Sequence, residues 1–120
     1  MVGMMSASLP ANHHPSDLPI LMAPRLIELC FQTAGLWEMS AQGRMGLPLH
    51  IDQVSILQNP ELAQGALYAV VTPAPDEARF DAEVVDAAGA QYVKLTGYRT
   101  VALPNIVDLE PLKALQAVAA

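Results

Sequence analysis

The run from Pro24 to Gly35 constrains this chain most. It reads Pro-Arg-Leu-Ile-Glu-Leu-Cys-Phe-Gln-Thr-Ala-Gly and is followed by Leu36 and Trp37. A helix that is hydrophobic nearly all round belongs in the middle of a fold, so the remaining residues must be arranged around it. Pro24 suits a first helical turn, and the pattern predicts a helix from Pro24 to about Ser40, with Gly43 and Gly46 marking its exit. One carboxylate and one amide interrupt the apolar run. Glu28 and Gln32 are four apart and therefore share one helix face, one turn from each other. A carboxylate in apolar surroundings must be paired, hydrogen-bonded or protonated, and such settings prepare side chains for acid-base work. The competing reading places Glu28 at a crevice rim with its head in water.

Four strand candidates follow the helix. Leu47 to Leu57 alternates as Leu49 and Ile51, then shifts phase to Val54 and Ile56, which predicts a bulge near Asp52 and Gln53. Gly65 to Thr72 is the second candidate. Ala78 to Val85 alternates cleanly, with Phe80, Ala82 and Val84 on one face and Arg79, Asp81 and Glu83 on the other, and Asp81, Glu83 and Asp86 read as a solvated strand face. Asp86-Ala87-Ala88-Gly89 then reads as a tight hairpin turn. The last strand runs from about Ala90 to Leu103, and Gly97 in its middle predicts a bend or a close backbone contact. Residues 1–22 hold prolines and histidines without periodicity and read as an arm or loop. Residues 23–104 form the domain. Residues 105–120 read as a tail or short helix, with Leu109, Leu112, Leu115 and Val118 on one stripe. One long helix followed by antiparallel strands is an α+β arrangement, and such a sheet has edges that invite pairing with another copy or domain.

Composition removes several classes of function. With 120 residues, one domain is expected, and 52% hydrophobic residues supply a core. The net charge is −6 and the six basic residues are scattered, which argues against nucleic acid. No apolar run approaches the length of a membrane span. The single cysteine, Cys30, excludes an internal disulfide and fits a reducing, cytoplasmic setting. It reads as core filler. His50, at a strand start, reads as structural or exposed. Cys and His spacing gives no metal site, and no cofactor is expected.

The helix, followed by these strands, resembles the hotdog fold, in which a curled sheet wraps a long helix. Two groups carry the resemblance. The second half of a polyketide synthase dehydratase domain, itself a double hotdog, has a Pro-x-Leu-Leu-Asp-x-x-x-Gln helix, a Leu-Pro strand, an Asp-x-x-Gly hairpin and a Gly-Tyr strand. Here Pro24 to Gln32 is similar to that helix, with Glu28 in place of Asp; Leu47-Pro48, Asp86 to Gly89 and Gly97-Tyr98 are similar to the rest. The likeness spans about residues 20 to 104. The single-hotdog 3-hydroxyacyl-carrier-protein dehydratases have Glu at the helix position, Gln four later, and a His fourteen residues before the Glu, where His14 stands. Their Gly-His-Phe-Pro reads here as His13-His14-Pro15-Ser16, and their Pro-Gly before the helix is missing.

The resemblance implies dehydration of a 3-hydroxyacyl thioester carried on the phosphopantetheine arm of an acyl carrier protein. It implies Glu28 as the acid, Gln32 as its orienting partner, and His14, or a histidine from another hotdog, as the base. It also implies that Pro24, Arg25 and Leu26, at the helix start, meet the substrate. A second hotdog is expected alongside, as a preceding domain or as a homodimer partner. The alternatives are a free homodimeric dehydratase using His14, a hotdog thioesterase, and a non-catalytic hotdog that binds an acyl chain or only completes a fold.

Overall fold

The computed structural model describes residues 1–10, 23–63, 65–75, 78–104, 110, 113–114 and 117. The elements are β1 (Val2–Met4), α1 (Pro24–Gln42), β2 (Gly46–His50), β3 (Gln53–Ile56), a 3-10 turn at Pro60–Leu62, β4 (Leu67–Pro73), β5 (Arg79–Asp86) and β6 (Gln91–Ala102). The six strands form one antiparallel sheet in the order β1-β4-β5-β6-β2, with β3 also pairing β6. The helix lies on one face of this sheet, which is the hotdog arrangement the sequence implies.

The inward stripe of α1 is Leu26, Cys30, Thr33 and Ala34, all buried. These residues recur at intervals of three and four and therefore face one way. Against them the sheet presents Ala69 and Val71 from β4, Phe80, Ala82 and Val84 from β5, and Val93, Leu95 and Tyr98 from β6. The alternation expected in β5 therefore holds. Trp37 meets Phe80 edge-on at 5.7 Å between ring centroids. Gly43, with φ 63°, ends the helix by donating its N–H to the carbonyls of Glu38 and Met39.

The phase shift expected near Asp52 is the break between β2 and β3. β2 pairs β6 through Arg99 to Ala102, and β3 pairs it through Val93 to Thr96, so the two share one edge of the sheet. Opposite this break, β6 has its own irregularity at Gly97, where φ is +65°. Inward-facing residues are Val93 and Leu95 before it and Tyr98 and Thr100 after it. A side chain at Gly97 would overlap the Asp52 carboxylate. The bulge and the close contact that the sequence suggests separately are thus one feature.

Two expectations need correction. Residues 2–4 are not part of a loose arm; they form β1, which pairs β4 with Val2 opposite Val70 and Met4 opposite Tyr68. Three residues are too short for alternation to reveal a strand. Asp86 is not on the solvated face: it is buried, its Oδ1 accepts from the amides of Ala88 and Ala90, and its Oδ2 accepts from the Tyr92 hydroxyl at 2.9 Å. It closes the hairpin from inside. The Tyr92 hydroxyl first, then the Ala90 amide, hold its carboxyl below the ordinary Asp range. The leucine stripe of residues 105–120 lies outside the described residues.

Candidate functional site

Glu28 and Gln32 do share a helix face, and Gln32 Nε2 donates to Glu28 Oε1 at 3.2 Å. Both are exposed. Of the two readings of Glu28, the one with its head in water holds in this chain by itself and the buried one does not. The reason is phase: with Leu26, Cys30 and Ala34 turned to the sheet, positions 28 and 32 fall on the far side of the helix. Leu36 shares that outward side and is 42% exposed. Thus Glu28 and its amide partner stand on a partly apolar face that nothing in the described chain covers.

The helix start is built unusually. Ala23 precedes it with φ 45° and ψ 58°, a left-handed conformation that side chains resist, and no side chain caps the first turn. Pro24 has no N–H, and the Leu26 and Ile27 amides both donate to the Ala23 carbonyl. The Arg25 amide is therefore the first-turn donor that no helix carbonyl takes. The Arg25 guanidinium is held by the Pro10 carbonyl. Pro24 is exposed and Arg25 half-buried, so both can border a ligand at the helix start. Leu26 cannot, because it is 3% exposed and packed into the core; it supports the helix start from beneath. His14 lies outside the described residues.

A second carboxylate, not singled out in the sequence, is the buried one. Glu38 is 0% exposed, and its Oε2 accepts from Arg44 Nε at 2.8 Å. Arg44 also donates through an Nη to Thr100 Oγ1 at 3.2 Å. Glu38 Oε1 has no hydrogen-bond partner among the described residues. The backbone of Gly46 lies against this carboxylate, so close that a Cβ there would stand 2.6 Å from Oε1. The cluster ties the end of α1 to β2 and β6. Its pairing is invisible to helical spacing, because a helix end and a turn at Gly43 separate the two partners; the usable signals were Glu38 lying four past Ala34 on the inward side and a small residue at the first strand position.

Tyr98 is buried in an aromatic cluster. Its ring is 4.6 Å from that of Phe31 and 6.0 Å from that of Phe80. Burial, then the charges of Glu38 and Glu28, push its phenol up to about 12. It is therefore neutral beside both. Burial alone raises the Cys30 thiol to about 12, which leaves it protonated and without nucleophilic character at neutral pH. His50 is exposed, as expected, and its Nε2 meets Asp52 Oδ1 at 2.8 Å.

Chemically, the outward face of α1 offers one carboxyl group oriented by an amide and, at the helix start, one backbone N–H with no acceptor among the described residues. That set can deliver a proton and polarise a carbonyl. No histidine among the described residues is in hydrogen-bond or ion-pair contact with Glu28. The described residues contain no group of three His, Cys, Asp or Glu able to hold a metal ion. No described helix is long and apolar enough to cross a membrane.

A family model described as "Polyketide synthase dehydratase N-terminal domain" matches residues 1–110. No curated protein and no solved structure matches the chain.

Proposed function

The chain belongs to the polyketide synthase dehydratase family, and on that premise we propose that it is one hotdog of a dehydratase acting on carrier-protein-bound 3-hydroxyacyl thioesters. The observation that carries this reading is the Glu28–Gln32 pair, hydrogen-bonded and turned outward from the central helix. In the proposed reaction a neutral histidine removes a proton from the carbon next to the thioester carbonyl. The freed electron pair forms the double bond to the neighbouring carbon as the bond to the 3-hydroxyl breaks. The Glu28 carboxyl gives that oxygen its proton, so water leaves and the 2-enoyl thioester remains. Glu28 ends as a carboxylate and the histidine as an imidazolium, and a proton returned from one to the other resets the site. Gln32 orients the Glu28 carboxyl, and the Arg25 amide steadies the charge that gathers on the thioester oxygen.

We assign the histidine to a second hotdog packed beside this one. The assignment rests on two features of the chain. The outward face of α1 carries Glu28 next to exposed Leu36, and the outer edge of the sheet, at β2, carries exposed Leu47 and Leu49 with Met45 and Val101 close in sequence or register. Scattered exposed leucines mean little, but an unpaired strand edge together with an uncovered helix face favours a protein partner. A neighbour there would enclose the Glu28 carboxyl and exclude water from it. The matched family model is described as an N-terminal domain; our placing of the chain in the second half, which carries the acid, rests on the order of the helix motif, the Leu47-Pro48 strand, the Asp86 to Gly89 hairpin and Gly97-Tyr98 alone.

Turnover of a 3-hydroxyacyl pantetheine thioester tests the proposal. The protein containing both hotdogs should form the enoyl thioester, and Glu28→Gln should slow it about 10²–10⁴-fold, the usual contribution of a positioned acid. Undiminished turnover by Glu28→Gln would overturn the assignment.

A further inference from the structure

On the sheet face turned away from α1, Arg79 of β5 and Arg99 of β6 are directly opposed. His50 of β2 is paired with Arg99 from the other side. Residues opposite one another in a ladder share a face, so three basic side chains form a row across three strands. Arg79 and Arg99 are both exposed. Among the described residues neither has a salt bridge or a side-chain hydrogen bond, whereas Arg44 is taken by Glu38 and Thr100, and Arg25 by the Pro10 carbonyl.

Like charges directly opposed weaken a sheet. This chain has twelve Asp and Glu residues against six Lys and Arg, so neutralising groups are plentiful. Those at hand are directed elsewhere. Asp81 Oδ1 accepts the Gly97 amide at 3.0 Å, and Asp52 is seated over Gly97 and holds His50. Asp76 and Glu77, just before Arg79 in sequence, lie outside the described residues. Among the described residues, then, no carboxylate is paired with either guanidinium.

We propose that Arg79 and Arg99, with His50 at the end of the row, are a docking point for an acidic protein face. Resting on the dehydratase reading, that face belongs to the carrier protein that brings the substrate. Spacing and charge support it. Directly opposed strand residues are about 5 Å apart, and carboxylates one turn apart on a helix are separated by about 5–6 Å. Two neighbouring guanidiniums therefore match a Glu/Asp pair on one helix face, and each fork can hold a carboxylate through two N–H groups. Because this chain is acidic overall, an acidic partner favours such a point over most of the surface. A nucleic acid would need a longer basic track than one row.

The test is fluorescence anisotropy with a labelled apo carrier protein, at low salt and at 0.5 M salt. The wild-type protein and the double variant Arg79→Gln/Arg99→Gln are compared. The expected result is binding by the wild type that weakens with salt, and at least tenfold weaker binding by the variant, whose melting temperature is not lowered. Equal affinity of the two proteins, or no binding by the wild type at low salt, overturns the proposal. Turnover of the short pantetheine thioester, which needs no docking, reads the dehydratase assignment separately. If docking is right, the variant keeps that turnover and raises KM only for the carrier-borne substrate.

Discussion

Gly46→Ala should be among the more damaging single-methyl additions in this protein, and the reason is Glu38. A Cβ at position 46 would stand 2.6 Å from Oε1, 2.7 Å from Oε2 and 2.9 Å from Cδ of that side chain. The carboxylate cannot swing aside easily, since it is fully buried and held by Arg44 at 2.8 Å. Overpacking alone costs about 1–3 kcal/mol. Pulling the carboxylate from Arg44 forfeits part of a charged hydrogen bond, worth roughly 1.5–3 kcal/mol when intact. Because Arg44 is a third exposed and recovers some hydration, the combined cost should be about 2–4 kcal/mol. Urea denaturation followed by Trp37 fluorescence measures it. The cause is isolated by repeating Gly46→Ala in a Glu38→Ala background, where the space is open. There the same change should cost less than about 1 kcal/mol, so the two sites should couple by more than about 1 kcal/mol. Equal costs in the two backgrounds, or a loss below about 0.5 kcal/mol in the wild type, would refute the steric account.

Gly97→Ala combines a left-handed backbone with overlap on Asp52, and should destabilise by about 2–4 kcal/mol in the same assay. Ala23→Gly relieves a left-handed alanine at the helix start; allowing for glycine's greater unfolded-state entropy, it should raise stability by about 0.5–1 kcal/mol. Tyr92→Phe removes the main bond that lowers the Asp86 carboxyl. A depressed carboxyl stabilises the fold above the ordinary Asp range near pH 4, and the stabilisation fades as pH falls through the lower folded value. The wild type should therefore be more stable than Tyr92→Phe at pH 7, and the gap should close in acid denaturation at low pH. Cys30, buried and raised to about 12, should react with a thiol reagent at pH 8 only as fast as the protein unfolds; rapid labelling of the native protein would contradict the packing.

The fold was legible because its main signals are local. The apolar run 24–37, the alternation of Arg79 to Val85 and the turn at Asp86 to Gly89 each determine an element without reference to the others. The helix came out at Pro24–Gln42 and the last three strands within a few residues of their expected ends. What escaped depends on contacts between distant segments. β1 exists because β4 offers it an edge, and three residues cannot announce that. The phase of α1 also escaped. So many of its positions are apolar that periodicity does not say which stripe faces inward, and the sheet decides. That ambiguity leaves both a buried and an exposed Glu28 open and hides Glu38. Asp86 was taken for a surface residue because alternation alone cannot foresee that a hairpin will fold its own amides and Tyr92 around it. The Glu28–Gln32 pairing was legible, being a matter of one helical turn.

The account's central claim is that the outward Glu28, not the buried Glu38, gives up the proton. Turnover of a 3-hydroxyacyl thioester by Glu28→Gln and Glu38→Gln, at a temperature where circular dichroism shows both folded, tests it directly. The account predicts that Glu28→Gln loses about 10²–10⁴-fold while Glu38→Gln, whose partner Arg44 is structural, keeps turnover within about tenfold of the wild type even though it unfolds more readily. Full activity in Glu28→Gln, or a larger loss in Glu38→Gln, would contradict it.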